Sequence, residues 1–189
     1  FPRDLSLDEI IFAEILNSKY KKGFFGKWRL TQENERYLGW GNTLCPLQRG
    51  SDVGSESRGS HPYAFSVLEK NTFGSYDQGE YSNHELTDKV LVFMRQNNNQ
   101  PFLLYWSLYY VHTPVKTRSK WLYEKYEKRL GADNQREIQY AAFVETVDHY
   151  VGQVLNEIER LGIKENTVVI FTYDNGAHPG YSNNQPLKG

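Results

Sequence analysis

The chain has 189 residues, of which 24% are charged, and its formal net charge is -1. This length is typical of one domain, and the balanced charge argues against a nucleic-acid partner. No apolar run reaches the roughly 20 residues that cross a bilayer, so no membrane span is predicted. The single cysteine, Cys45, cannot form an internal disulfide, so the cellular compartment is not readable from cysteine usage.

The first predicted elements are a helix and a strand. Ser6 and Glu9 have the spacing of a capping box, and the apolar residues of 11–16 then recur at intervals of four, before a polar end near residues 18–19. This pattern predicts an amphipathic helix. Residues 23–28 follow and predict a short buried strand that runs into a loop.

A long stretch without a clear period comes next. Residues 31–82 are rich in Gly, Ser, Asn and Tyr. Connections of this length are usually functional excursions that face a substrate, and the alternative is disorder. Both interpretations are open at this point.

The rest of the chain alternates between helices and strands. Helices are predicted at residues 86–97, 121–130 and 138–161, the last ending at Gly162, and strands at residues 101–108 and 166–173. This alternation predicts an α/β fold with a mainly parallel sheet flanked by helices.

The predicted strand at residues 166–173 ends in Asp174-Asn175-Gly176. Its β-branched apolar run is typical of a strand that is buried on both faces, and ligands bind beyond the carboxyl ends of such strands. Asp and Asn oxygens are hard ligands that suit Ca²⁺ or Mg²⁺. The alternative is an Asn-Gly turn with no further function.

Polar residues follow each of the three long predicted strands. Lys27 and Arg29 follow the first, His112 follows the second, and Asp174 with Asn175 follows the third. Because parallel strands end at one edge of a sheet, we expect these residues to converge. A pair of cations, an imidazole and a metal carboxylate suit a phosphate or sulfate ester. Taken singly, Lys27 also fits a surface lysine and His112 a turn residue.

Several segments resemble signatures of the type I sulfatases. Residues 26–30 resemble the family's Gly-Lys-Trp-His-Leu, and residues 101–105 resemble its Pro-Phe-Phe-Leu-Tyr strand. Residues 112–114 resemble its His-Thr-Pro turn, and residues 174–176 resemble its Asp-Asn-Gly turn. The matches occur in the family's order over nearly the whole chain. Two further segments lean toward the arylsulfatase B branch, the N-acetylgalactosamine-4-sulfatases: residues 45–50 and 183–189.

The resemblance implies an alkaline-phosphatase-like α/β fold and the hydrolysis of a sulfate ester, with a sulfated sugar as the expected substrate. It implies a lysosomal or secreted location. It assigns Lys27 and His112 to the sulfate group, with His112 as the candidate proton donor to the leaving alcohol. It assigns Asp174 and Asn175 to Ca²⁺, beside a formylglycine nucleophile made from cysteine or serine.

The chain departs from the family pattern at important positions. Arg29 stands where the family has a His that contacts the formylglycine, and Tyr173 replaces a small Ser or Thr. The formylglycine motif and two metal aspartates precede residue 1 in the family's order, and Cys45 lacks the Cys-x-Pro-Ser-Arg pattern. We therefore expect residues 1–189 to be part of a sulfatase catalytic domain that lacks its nucleophile segment and C-terminal part, and to be inactive alone.

Two other interpretations are open. A degenerate relative could bind sulfated glycans without turnover, as Arg29 and Tyr173 suggest. A phosphatase or phosphodiesterase of the same superfold is the other alternative. Such enzymes use more metal-binding histidines, whereas this chain has five histidines in all, and only His112 and His178 lie near the predicted site.

Overall fold

The structure, a computed structural model, describes residues 5–28, 30, 40, 44–57, 73–74, 76–176, 178 and 180–181. The chain divides into two compact units. The first unit consists of Phe1–Ser60, His84–Tyr109 and Val154–Ile163. The second unit consists of His61–Asn83, Tyr110–Gln153 and Lys164–Gly189.

A three-stranded parallel sheet forms the centre of the first unit. Its strands are β1 (Lys21–Gly26), β2 (Val53–Ser55) and β3 (Phe102–Ser107), in the order β2-β1-β3. The parallel sheet and its flanking helices confirm the predicted fold class. The sequence predicted β1 and β3 but missed β2, because its Val-Gly-Ser is too short to show a hydrophobic period.

One helix, α2 (Glu85–Asn97), covers the sheet with the apolar face that the sequence predicted. Phe93 lies at the centre of this contact, with its ring 5.7 Å from the rings of both Phe25 and Phe102. A Cβ at Gly23 would lie 2.8 Å from the Phe93 ring, so only glycine lets the helix approach this closely. The buried core cluster contains Phe25, Leu86, Val90, Phe93, Met94, Tyr109 and Ile158.

A charged network joins α2 to the end of the long helix α4 (Gln135–Arg160). The Glu157 carboxylate is 5% exposed and accepts hydrogen bonds from Arg160 Nε at 2.9 Å and Arg95 Nε at 2.8 Å. These hydrogen bonds, first from Arg160 and then from Arg95, lower the pKa of Glu157 to about 2. The carboxylate is thus held ionised at a buried position that would otherwise favour its neutral form.

Helix α4 ends just before Gly162, as the sequence predicted. Ile163 N donates to Ile158 O at 3.2 Å, and Gly162 N donates to Glu159 O at 3.0 Å. This pair of bonds is a Schellman motif, which places Gly162 in the left-handed region at φ +70°. A 3₁₀ turn, Lys164–Asn166, follows at once.

The second unit has its own core, built from α3 (Lys120–Leu130) and the first part of α4. The half-buried Glu145 accepts hydrogen bonds from Lys125 at 2.6 Å, Tyr126 at 2.7 Å and Tyr81 at 2.9 Å. Burial raises the pKa of this carboxyl, but the three donors outweigh burial and hold the pKa below its ordinary value. The buried apolar residues include Leu122, Ile138, Ala142, Phe143 and Tyr150.

The predicted first helix is much shorter in the structure. Only Phe12–Ile15 is helical (α1), and Glu14 rather than Glu9 makes the capping contact, by accepting from Ile11 N at 2.9 Å. Leu7 and Ile10 are 72% and 71% exposed. Short helices are marginal in water unless an apolar face is packed, and this face is not packed.

The predicted strand at residues 166–173 is wrong. Residues 167–173 belong to no strand, and Val168 and Ile170 are 87% and 82% exposed. A parallel strand needs a hydrogen-bonded neighbour and apolar cover on both faces. The described residues provide this segment with neither.

Candidate active site

The predicted site residue Lys27 directly follows β1, at the edge of the sheet where all three parallel strands end. Its backbone N–H donates to Ser107 O at 2.9 Å, which continues the pairing of β1 with β3 by one residue. Gly26 makes the turn possible, with φ +109° and with Ser107 O only 1.9 Å from where a Cβ would stand. The position of Lys27 therefore depends on glycine at residue 26.

The residues around Lys27 are aromatic and packed. Trp28 is 4% exposed and meets Phe24 edge to face at 5.2 Å between ring centroids. Trp40 Nε1 donates to Gly26 O at 2.9 Å. The Gly-Lys-Trp turn thus contains one buried indole, that of Trp28, and accepts a hydrogen bond from a second, that of Trp40.

Sequence reasoning missed a polar network at the same edge of the sheet, where β2 ends. Lys89 Nζ donates to Ser55 Oγ at 2.7 Å and pairs with Glu85 at 2.6 Å, while Ser57 Oγ also donates to Glu85. Lys89 first and Ser57 second lower the pKa of Glu85. The polar groups of this network thus bond to one another, and their contacts attach the start of α2 to the end of β2. No motif marks them in the sequence, because serines in a polar stretch carry no period.

The other described site residues belong to the second unit. His112 is exposed and lies between two cis peptide bonds, Tyr110–Val111 and Thr113–Pro114. Its Nδ1 lies 2.6 Å from Thr113 O. Because a carbonyl oxygen only accepts, Nδ1 carries a proton, and Nε2 is the nitrogen that would exchange a proton with a substrate.

Asp174 and Asn175 are exposed and lie in a bend after residues 167–173, which belong to no helix or strand. Over the parts of the chain that the structure describes, no group of three or more His, Cys, Asp or Glu side chains is placed to hold a metal ion. Ca²⁺ takes about six to eight oxygen ligands, so these two residues do not form a calcium site by themselves.

Arg29 lies outside the described residues. Cys45 is a buried free thiol. The convergence of Lys27 with His112 and Asp174 stays a prediction. Of the helices among the described residues, none has both the length and the apolar composition needed to span a bilayer.

Comparison with known protein families shows the family to which the chain belongs. The sulfatase family model matches residues 4–189. The chain belongs to the sulfatase family. Its Gly-Lys-Trp turn, His-Thr-Pro turn and Asp-Asn-Gly bend are therefore segments of a sulfatase fold.

Two curated sulfatases show how much of such a protein is present. The chain is 27% identical to arylsulfatase J of Mus musculus over 206 residues, which covers 100% of this chain and 32% of that protein. It is 37% identical to N-acetylgalactosamine-6-sulfatase of Mus musculus over 93 residues, which covers 48% of this chain and 16% of that protein. The chain thus spans a third or less of these sulfatases.

The fold is also found in a solved structure. The crystal structure of Ps i-CgsB in complex with k-i-k-neocarrahexaose aligns with a TM-score of 0.63 and 23% identity. The alignment covers 90% of this chain and 41% of that protein. The likeness shows that the sulfatase chain takes this fold along most of its length.

Proposed function

We propose that the full-length protein that carries this chain hydrolyses sulfate esters. The observation that supports this most directly is the position of Lys27. It extends from a glycine turn at the carboxyl edge of a parallel sheet, in a chain of the sulfatase family. A lysine whose backbone is fixed at this edge suits a sulfate group, because charge that builds up on the ester oxygens during hydrolysis is stabilised by preorganised cations.

Each residue has a proposed role. Lys27 and Arg29 bind sulfate oxygens, Arg29 through its fork of N–H donors. His112, when both of its ring nitrogens carry a proton, donates the Nε2 proton to the ester oxygen as the bond from that oxygen to sulfur breaks and the nucleophile bonds to sulfur. The alcohol is the first product, and inorganic sulfate follows when the nucleophile releases it. The family's formylglycine supplies the nucleophile from a part of the protein outside residues 1–189. Cys45 is not its source, since this thiol is buried and lacks the motif.

The substrate class is proposed to be sulfated sugars. A relative with 37% identity over 93 residues is named N-acetylgalactosamine-6-sulfatase. The finer placement in the arylsulfatase B branch stays a prediction from residues 45–50 and 183–189, as does a lysosomal or secreted location.

The proposal is tested by offering the full-length protein p-nitrophenyl sulfate and p-nitrophenyl phosphate under the same conditions. We expect the higher kcat/KM with the sulfate, measured by nitrophenol release. Faster turnover of the phosphate would instead assign a phosphatase of the same superfold. Binding of a sulfated sugar, with no turnover of either ester, would identify a degenerate relative, which Arg29 and Tyr173 make the second candidate.

We also propose that Asp174 and Asn175 supply two of the oxygen ligands of a Ca²⁺ ion in the full-length protein. Two ligands are too few for tight binding, and further carboxylates are needed. We expect Asp174→Ala in the full-length protein to weaken Ca²⁺ binding at least tenfold, because a site loses affinity when it loses a charged ligand. Isothermal titration with Ca²⁺ measures this change. Asp133→Ala, which removes an exposed carboxylate before α4, is the matched control. Equal affinities of the Asp174→Ala variant and the unmodified protein would remove Asp174 from the metal site.

A further inference from the structure

Trp40, which is not one of the predicted site residues, donates a hydrogen bond to the Gly-Lys-Trp turn. The indole Nε1 donates to Gly26 O at 2.9 Å, across 14 residues of sequence. Gly26 O is the carbonyl of the peptide bond that leads into Lys27. The Lys27 N–H on the other side of that bond donates to Ser107 O at 2.9 Å. Both polar atoms of the Gly26–Lys27 peptide are therefore held.

The indole is itself fixed by packing. Its ring lies 5.9 Å from the Phe24 ring, and its outer edge lies against Gly54, where a Cβ would be 3.0 Å away. Phe24 also stacks on Tyr105 at 4.8 Å with an angle of 8° between the ring planes. The indole thus packs against Phe24 of β1, the strand that leads into the turn, and against Gly54 of β2.

A peptide held at both polar atoms has less freedom to rotate. Gly26 needs this restraint more than another residue would, because glycine at φ +109° has no Cβ that limits its backbone. Rotation of the Gly26–Lys27 peptide would swing the Cα of Lys27, and with it the direction in which the side chain leaves the sheet.

We propose that Trp40 is a positioning residue, which sets the orientation of Lys27 by holding the Gly26 carbonyl. This inference rests on the proposed function, because it gives Lys27 the role of sulfate ligand. Trp40 acts through the peptide and not on the substrate. The loss of one such hydrogen bond corresponds to about a tenfold change in an equilibrium or rate.

The experiment is a double-mutant cycle in the full-length protein with p-nitrophenyl sulfate. Trp40→Phe removes the N–H and keeps an aromatic ring against Phe24 and Gly54. We expect Trp40→Phe alone to lower kcat/KM about tenfold, and to change it less than about twofold when Lys27→Ala is already present. Equal losses in both backgrounds, or no loss in either, would overturn the proposal.

A second measurement does not depend on sulfate chemistry. Hydrogen exchange of the Lys27 amide should become about tenfold faster in Trp40→Phe, whereas the Phe24 and Phe25 amides of β1 should exchange as before. Unchanged exchange at Lys27 would overturn the proposal even in an active enzyme. Faster exchange in a protein that hydrolyses no sulfate ester would leave Trp40 as the restraint on the turn and would refute the proposed function instead. Global acceleration at all three amides would show that Trp40 serves stability only.

Discussion

Replacing Lys27 by alanine in the full-length protein is expected to lower kcat/KM for an aryl sulfate by on the order of a hundred- to a thousandfold. That is the range measured when one preorganised group that stabilises transition-state charge is removed. The backbone of Lys27 is fixed by Ser107 O and by the glycine turn before it, so its side chain leaves the sheet edge in a defined direction. Steady-state kinetics with p-nitrophenyl sulfate measure the loss.

The matched control is Lys19→Ala. Lys19 is exposed, lies before β1, and contributes only its backbone N–H to a hydrogen bond with Asn17 among the described contacts. This variant has the same change of net charge and should keep its turnover within about twofold, because exposed charges contribute little. A Lys27→Ala variant as active as Lys19→Ala would place Lys27 outside the active site.

Gly26→Ala is expected to cost roughly 3 kcal/mol or more of folding stability, or to prevent folding. Two effects add. Alanine resists φ +109°, and its Cβ would stand 1.9 Å from Ser107 O, which is backbone and cannot rotate away. Backbone strain and overpacking each cost about 1 to 3 kcal/mol. The midpoint of urea unfolding, followed by tryptophan fluorescence, measures the change.

Gly152→Ala is the control for this substitution. Gly152 lies inside α4, and a Cβ there meets no atom within 4 Å. Alanine should stabilise the helix by about 0.5 to 1 kcal/mol, since glycine loses more backbone entropy on folding. A Gly26→Ala midpoint that shifts upward like that of Gly152→Ala would show that the turn adapts to a side chain.

The helices and strands that could be predicted are those whose recurring apolar residues are buried in the fold. α2 buries Leu86, Val90 and Phe93, which recur at helical spacing, and α4 ends at the glycine that marked its end. β1 could be predicted because its Phe24 and Phe25 pack on opposite faces of the sheet's central strand. In each case the local pattern and the tertiary contact agree.

The failures have one physical source. An apolar pattern reports that a segment favours burial, but not that a partner surface is present. The helix expected from Ser6 and the strand expected to end at Tyr173 both have the right pattern, and both are exposed in the described residues. Lys27 could be located because it follows a strand, whereas Trp40 could not, since its contact with Gly26 depends on a loop without period.

The exposed run at residues 168–171 has a consequence for handling the protein in solution. Val168, Val169, Ile170 and Phe171 form a short exposed segment with high β-propensity, and no charged residue interrupts it. The formal net charge of -1 provides little long-range repulsion between molecules near neutral pH. Colloidal stability of the separate chain therefore depends on conditions that raise its net charge or cover this segment.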